Sequence, residues 1–244
     1  MGDCPDLLAE LSDDVSKYLD FDGLVALSII STSSFYRSLN NLKYNRFIPS
    51  DSGQEILERI KSGDVVKIKL SELKSSANID FADEYENTWI SWAVSTNNID
   101  IVKLLIQANV NINHTTKNGV TPLLSAAGAI DIEMVKLLIN AGADPNIAFI
   151  EGSTPIYIAA INKDTEMVEL LINAGANTNI TGKFGDTPLI IATEDNDFTM
   201  TKLLINAGAE VNVINDDRRT PLYWANRNSN KGITRLLKRA GATK

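Results

Sequence analysis

Length, composition and charge exclude several classes of protein. The chain has 244 residues and a formal net charge of −8, which argues against nucleic acid as the main partner because phosphate backbones would be repelled. No apolar run of about 18 residues is present, so we expect no membrane span. Cys4 is the only cysteine, which excludes an intramolecular disulfide and indicates a reducing compartment, and we expect no signal peptide.

Residues 1–50 are predicted to form a small helical module. Apolar side chains recur there at helical spacing, at Leu7, Leu8, Leu11, Val15, Tyr18 and Leu19. After an acidic turn, the run from Leu24 to Ile30 is apolar nearly all round, whereas a half-exposed helix is apolar on one stripe only. About fifty residues cannot bury such a run alone, so the first repeat of the next region or a partner protein must cover it.

This segment resembles an F-box. The match consists of spaced leucines, Tyr18-Leu19 before the acidic turn, a Leu-x-x-Leu pair that begins at Leu24, and a serine-rich break before an aromatic residue. Pro5 lies earlier than the family's Leu-Pro start. The resemblance implies docking on the Skp-type adaptor of a cullin–RING ubiquitin ligase through Leu7, Leu8, Leu11, Val15, Leu19, Leu24, Leu27, Ile30 and Phe35. The alternative is a plain helical cap for the region that follows.

The rest of the chain repeats with a period of 33 residues. The pair Leu-Leu and the segment Asn-Ala-Gly-Ala keep this step in one register without insertions, and Thr-Pro does so at Thr121-Pro122, Thr154-Pro155, Thr187-Pro188 and Thr220-Pro221. Threonine can cap a helix and proline suits the first helical position, so each Thr-Pro predicts a helix start. A second helix carries Leu-Leu, and Gly142 and its equivalents end it in a left-handed conformation, with Asn109 as the substitute in one unit.

The unit resembles the ankyrin repeat, whose consensus runs Gly-x-Thr-Pro-Leu-His-x-Ala-Ala and continues to a Leu-Leu helix and Gly-Ala. The resemblance implies an all-α ankyrin-repeat solenoid over residues 51–244, made of helix pairs with hairpin loops, in units 53–85, 86–118, 119–151, 152–184, 185–217 and a shortened 218–244. The family's His is replaced by Leu124, Tyr157, Ile190 and Tyr223. The final unit is expected to turn a polar face outward, because a terminal repeat shields the solenoid from water.

The resemblance also implies a protein partner held by the hairpin tips and the concave face of the first helices. On that face we expect the residues just before each Thr and those seven and eight positions after it. Exposed aromatic residues and Arg are typical of interface hot spots, although Trp92 and Trp224 could instead pack between repeats. The predicted partner-binding residues are Tyr85, Trp92, Ile150, Ile161, Asn162, Phe184, Glu194, Asp195, Arg219, Trp224 and Arg227.

Catalysis is not expected. His114 is the only histidine and lies in a different module from Cys4, so no nucleophile–base pair is predicted. Zinc sites need four ligands of the Cys or His type, so we expect no metal. No phosphate-binding Gly-x-x-x-x-Gly-Lys loop is present, so we expect no cofactor.

Two functions follow from these resemblances. In the first, the chain is the substrate-recognition subunit of an SCF-type ubiquitin ligase in a eukaryotic cytosol. The chain is then expected to be a monomer when it is outside the complex. An F-box joined to ankyrin units is similar to effectors that intracellular bacteria or large DNA viruses direct at a host. In the second, the chain is a free-standing ankyrin scaffold or inhibitor whose N-terminal helices only cap the repeats.

Overall fold

The computed structural model describes residues 60, 79–80, 82–83, 85–149 and 152–243. The F-box-like segment 1–50, Cys4 and Ile150 lie outside these residues. The described part contains ten α-helices and no strand, which confirms the all-α prediction. In chain order they are α1 (Trp89–Ser95), α2 (Ile99–Gln107), α3 (Pro122–Gly128), α4 (Ile132–Asn140), α5 (Pro155–Ile161), α6 (Thr165–Asn173), α7 (Pro188–Glu194), α8 (Phe198–Asn206), α9 (Pro221–Arg227) and α10 (Lys231–Arg239).

The first helix of each pair begins at the predicted threonine. The Leu124 backbone N–H donates to the Thr121 hydroxyl across 3.0 Å, and Thr187 and Thr220 cap their helices in the same way. Thr154 is the exception, because its hydroxyl makes no capping bond and is buried without a hydrogen-bond partner. The prediction of Thr-Pro helix starts is therefore confirmed, with one cap fewer than the sequence indicates.

The second helix of each pair ends in a left-handed residue, as predicted. Gly142 has a φ of 91° and Asn109 a φ of 62°, so asparagine takes the place of glycine there without changing the backbone. A second left-handed residue recurs in the turn between the two helices of each pair. This position is held by Asn97, Ile130, Lys163, Asn196 and Ser229.

The residues at the place of the family's His are buried in the interior units. Leu124, Tyr157 and Ile190 are all buried. The Tyr157 ring lies so close to Gly182 that a Cβ on this glycine would be 2.4 Å from the ring carbon Cζ. The larger tyrosine is thus accommodated because the next hairpin has no side chain at this point.

The loops between units are joined by a ladder of asparagine side chains. The Asp144 N–H donates to Asn113 Oδ1 (2.8 Å), and the Asn177 N–H donates to Asn146 Oδ1 (2.7 Å). The Asn146 amide also donates to the Gly175 carbonyl across 3.2 Å. Asn179 and Asn212 repeat the pattern, so each such asparagine satisfies backbone groups of the following unit.

The final unit turns a polar face outward, as expected of a terminal repeat. Its Tyr223 is 44% exposed, whereas Tyr157, at the same place in an interior unit, is 3% exposed. Exposed Asn226 stands where interior units have buried Ala160 and Thr193. The polar substitutions therefore fall at positions that a further unit would have covered.

Candidate functional site

Two aromatic side chains project from equivalent positions of the hairpin tips. Tyr85 is 55% exposed and Phe184 is 49% exposed. Phe184 has a left-handed backbone with a φ of 64°, which is strained for a bulky residue. Its ring lies 5.4 Å from Lys183 Nζ, and its carbonyl accepts a hydrogen bond from the Asp216 N–H across 2.9 Å. A strained, exposed aromatic residue is the kind of feature that marks a functional position.

The predicted acidic pair is partly neutralised by a neighbouring unit. Lys163 Nζ lies 2.8 Å from Asp195 Oδ1, and this hydrogen bond raises the pKa of Lys163. Glu194 is exposed, and its backbone carbonyl accepts a hydrogen bond from the Asn228 amide across 2.9 Å. Ile161 and Asn162 are half-buried at the end of α5. These contacts tie the ends of the first helices together from one unit to the next.

Exposure does not extend along the whole predicted face. Gly128, seven positions after its Thr, and Ser153, just before its Thr, are both buried. The expectation that these positions point outward is therefore wrong for Gly128 and Ser153, and also for Asn87, which lies just before Thr88 and is 6% exposed. Close packing between units removes small side chains from solvent there, while the larger residues of the last two units reach the surface.

Arginine and aromatic side chains meet on the final unit. The Cζ atom of Arg219 lies 5.1 Å from the ring centroid of Trp224, and that of Arg227 lies 5.0 Å from it. Tyr223 packs edge-on against Trp224 with the ring centroids 5.5 Å apart. Arg219 also lies 3.2 Å from the Asp217 carboxylate. The predicted residues Arg219, Trp224 and Arg227 therefore form one cluster.

The tryptophans are nearly inaccessible. Trp92 is 8% exposed and Trp224 is 6% exposed. The Trp92 indole N–H donates to Asp83 Oδ2 across 3.1 Å. This burial is what packing between repeats requires, so a partner would meet the arginines that cover Trp224 rather than most of its ring.

The sequence matches a known family over most of its length. The family model for ankyrin repeats in three copies matches residues 58–149, 90–181 and 156–244. The chain belongs to the ankyrin-repeat family. This is a non-catalytic interaction fold, so the chain is a protein-interaction scaffold.

A solved ankyrin structure supports this assignment. An ankyrin repeat domain from Acinetobacter baumannii AYE, solved at 1.00 Å resolution, is similar with a TM-score of 0.71 and 29% sequence identity. The similarity covers 78% of this chain and 98% of that chain. No curated protein matches significantly.

Sequence reasoning missed one member of the ankyrin surface. Tyr223 was assigned only as a substitute for the family's His, yet it is exposed and belongs to the cluster around Trp224. The sequence signal was the polar residue Asn226 nearby, which stands where interior units carry Ala160 and Thr193. Ile214, in the hairpin before the final unit, is 61% exposed and gave no sequence signal.

The single histidine of the sequence lies in a loop between helices. His114 Nε2 lies 3.1 Å from the Glu86 carbonyl in a loop. No group of three or more His, Cys, Asp or Glu residues in the described part could hold a metal ion. Among the helices described, none has the length and apolarity needed to cross a membrane.

Proposed function

We propose that this ankyrin protein is the substrate-recognition subunit of a cullin–RING (SCF-type) ubiquitin ligase in a eukaryotic cytosol. The F-box-like segment docks on the Skp-type adaptor, and the repeats hold a substrate protein near the ubiquitin-carrying enzyme. The observation that carries this proposal is the run from Leu24 to Ile30, which is apolar nearly all round and follows Tyr18-Leu19. The chain contributes effective concentration and orientation rather than covalent chemistry.

The substrate side of the proposal rests on the exposed residues of the repeats. Phe184 and Tyr85 project from hairpin tips, and Arg227 is exposed on the final unit. Aromatic residues and Arg are the types that carry most of the energy at protein interfaces. These side chains lie outside the buried contacts between units, so a partner could bind them without disturbing the core.

The adaptor half is tested by affinity measurement with the full chain and a purified Skp-type adaptor. Leu24→Asp places a charge in the docking surface, so we expect binding to weaken about thirtyfold or more. Ile214→Asp is the matched control, because it makes the same kind of change at an exposed apolar residue of the repeats. It should leave adaptor binding unchanged.

Two outcomes would contradict the proposal. If the parent chain does not bind the adaptor, the ligase function is wrong and the free-standing scaffold is favoured. If Leu24→Asp and Ile214→Asp weaken binding equally, the docking surface is not the F-box-like segment. Circular dichroism melting of each variant shows whether the repeats remain folded.

A further inference from the structure

Positive charge is concentrated in the final unit. Residues 218–244 contain eight of the 23 Lys and Arg residues and no Asp or Glu, while the rest of the chain has 15 basic and 31 acidic residues. The basic side chains are at the surface: Arg219 is half-buried, and the exposed ones are Arg218, Arg227, Lys231, Arg235, Lys238 and Arg239. A strongly basic unit thus ends a chain that is otherwise strongly acidic.

Two of these arginines are held in place by an aromatic residue. Arg219 and Arg227 each lie about 5 Å from the centroid of the same Trp224 ring, so their guanidinium carbons are no more than about 10 Å apart. Stacking on an aromatic face orders a guanidinium and leaves its N–H groups available at the edge of the plane. The pair is therefore prepared to receive carboxylates at a small cost in side-chain entropy.

The chain itself shows that one of the two positions accepts a carboxylate. Asp217 Oδ2 lies 3.2 Å from Arg219 Nη1, and both side chains remain partly accessible. Next to this pair, Tyr223 offers an exposed ring 5.9 Å from the Arg219 guanidinium carbon. The surface thus combines two cation sites with one apolar platform.

We propose that the final unit binds an extended acidic segment of a partner protein. One carboxylate of this segment pairs with Arg227, a second takes the place of Asp217 at Arg219, and an apolar side chain two residues further along packs on Tyr223. Residues in an extended chain advance about 3.3 Å each and alternate sides, so carboxylates two residues apart share one side and lie within the separation allowed for the two guanidinium groups. The proposal rests on the proposed function only in that the repeats bind a protein.

A protein segment fits this surface better than nucleic acid does. The acidic residues outside the final unit outnumber the basic ones by 16, and they would repel a polyanion that extends beyond the unit. A short acidic segment can remain over residues 218–243. It then lies away from the acidic residues of the other units, whose repulsion salt screens within about 8 Å. Its apolar side chains would also use Tyr223, which phosphate groups cannot.

The test is fluorescence anisotropy of the full chain with a labelled short peptide that carries Glu, Glu and Phe at every second position, separated by Gly, so that the three side chains share one side. The parent chain should bind this peptide. The same peptide with Gln in place of Glu should bind at least about tenfold more weakly. The double variant Arg219→Gln/Arg227→Gln should lose about tenfold or more in affinity. The control Lys103→Gln/Lys136→Gln, which removes two exposed charges from interior units, should stay within about twofold.

Three results would overturn the proposal. They are equal binding of the Glu and Gln peptides, equal losses in the two double variants, and tighter binding of a single-stranded oligonucleotide of the same charge. If removal of the arginines unfolds the final unit, Arg219→Lys/Arg227→Lys decides instead. It keeps the charge and most of the packing but loses the guanidinium forks, so we expect a several-fold loss at an unchanged melting temperature; parent-like binding would contradict the proposal.

One variant separates this inference from the ligase function. Leu24→Asp changes the F-box-like segment, so it should weaken adaptor binding about thirtyfold or more while the acidic peptide still binds as it does to the parent. If the parent chain binds the peptide and not the adaptor, the ligase function alone is disproved. A chain that binds the adaptor and not the peptide disproves the acidic-segment site alone.

Discussion

The interior units and the final unit share one helical register but differ in what covers them. In the unit 152–184, Tyr157 is buried against the next hairpin, whereas Tyr223 of the final unit is exposed beside arginines. Interior positions that face a neighbour are apolar or small, while the final unit replaces them with polar residues such as Asn226. The comparison shows that place in the stack, rather than position within a unit, decides whether a residue is buried in the fold or exposed.

Among substitutions of glycine and turn residues, the largest effect is expected where a new side chain overfills a closely packed contact of an interior unit. Gly182→Ala would bring a Cβ to 2.4 Å from the Tyr157 ring, so the ring or the hairpin must move. We expect the free energy of unfolding to fall by about 2 kcal/mol, as is typical of overpacking. Urea denaturation followed by circular dichroism measures this change.

The matched control for this variant lies in the final unit. In Gly232→Ala, the new Cβ would be 3.1 Å from the Asn230 Oδ1 atom and 3.5 Å from the Phe198 ring. Gly232 lies in α10, where alanine is the better helix former. The two effects offset each other, so the free energy of unfolding should stay within about 0.5 kcal/mol of the parent. Equal losses of unfolding free energy in both variants would contradict the distinction between the covered interior units and the exposed final unit.

A smaller effect on the free energy of unfolding is expected where only the backbone conformation of a residue is costly. Ile130 is exposed and has a φ of 58°, which is costly for a β-branched residue. Ile130→Asn should raise the free energy of unfolding by about 1 kcal/mol, because asparagine tolerates the left-handed conformation. Ser229→Asn makes the same change in the final unit and should give a smaller gain, since serine is not β-branched. A loss in Ile130→Asn would mean that the isoleucine packs usefully in its turn.

Much of the fold could be predicted because its determinants are local. Thr-Pro sets the start of four of the five first helices described, while Thr88-Trp89 starts α1. Asn109 could be recognised as a left-handed residue from its place in the register. The fold class followed from the period. The missing cap at Thr154 could not be foreseen, because the orientation of one hydroxyl group depends on its tertiary surroundings.

The candidate site could be predicted only in part. Arg219, Trp224 and Arg227 were each expected at a binding surface, but their meeting around one buried indole depends on side-chain packing between the two ends of α9. The pairing of Lys163 with Asp195 likewise joins residues of adjacent units. Such contacts arise from stacking, which the period indicates without specifying which side chains touch.

The most direct test of this account compares the two tyrosines at the same place in their units. Tyr157→Ala removes a buried ring, so we expect the free energy of unfolding to fall by about 3 kcal/mol. Tyr223→Ala removes an exposed ring and should cost less than about 1 kcal/mol. Urea denaturation of both variants with the parent gives this difference. Similar losses for the two would contradict the claim that a following unit seals the interior position and leaves the final one open to a partner.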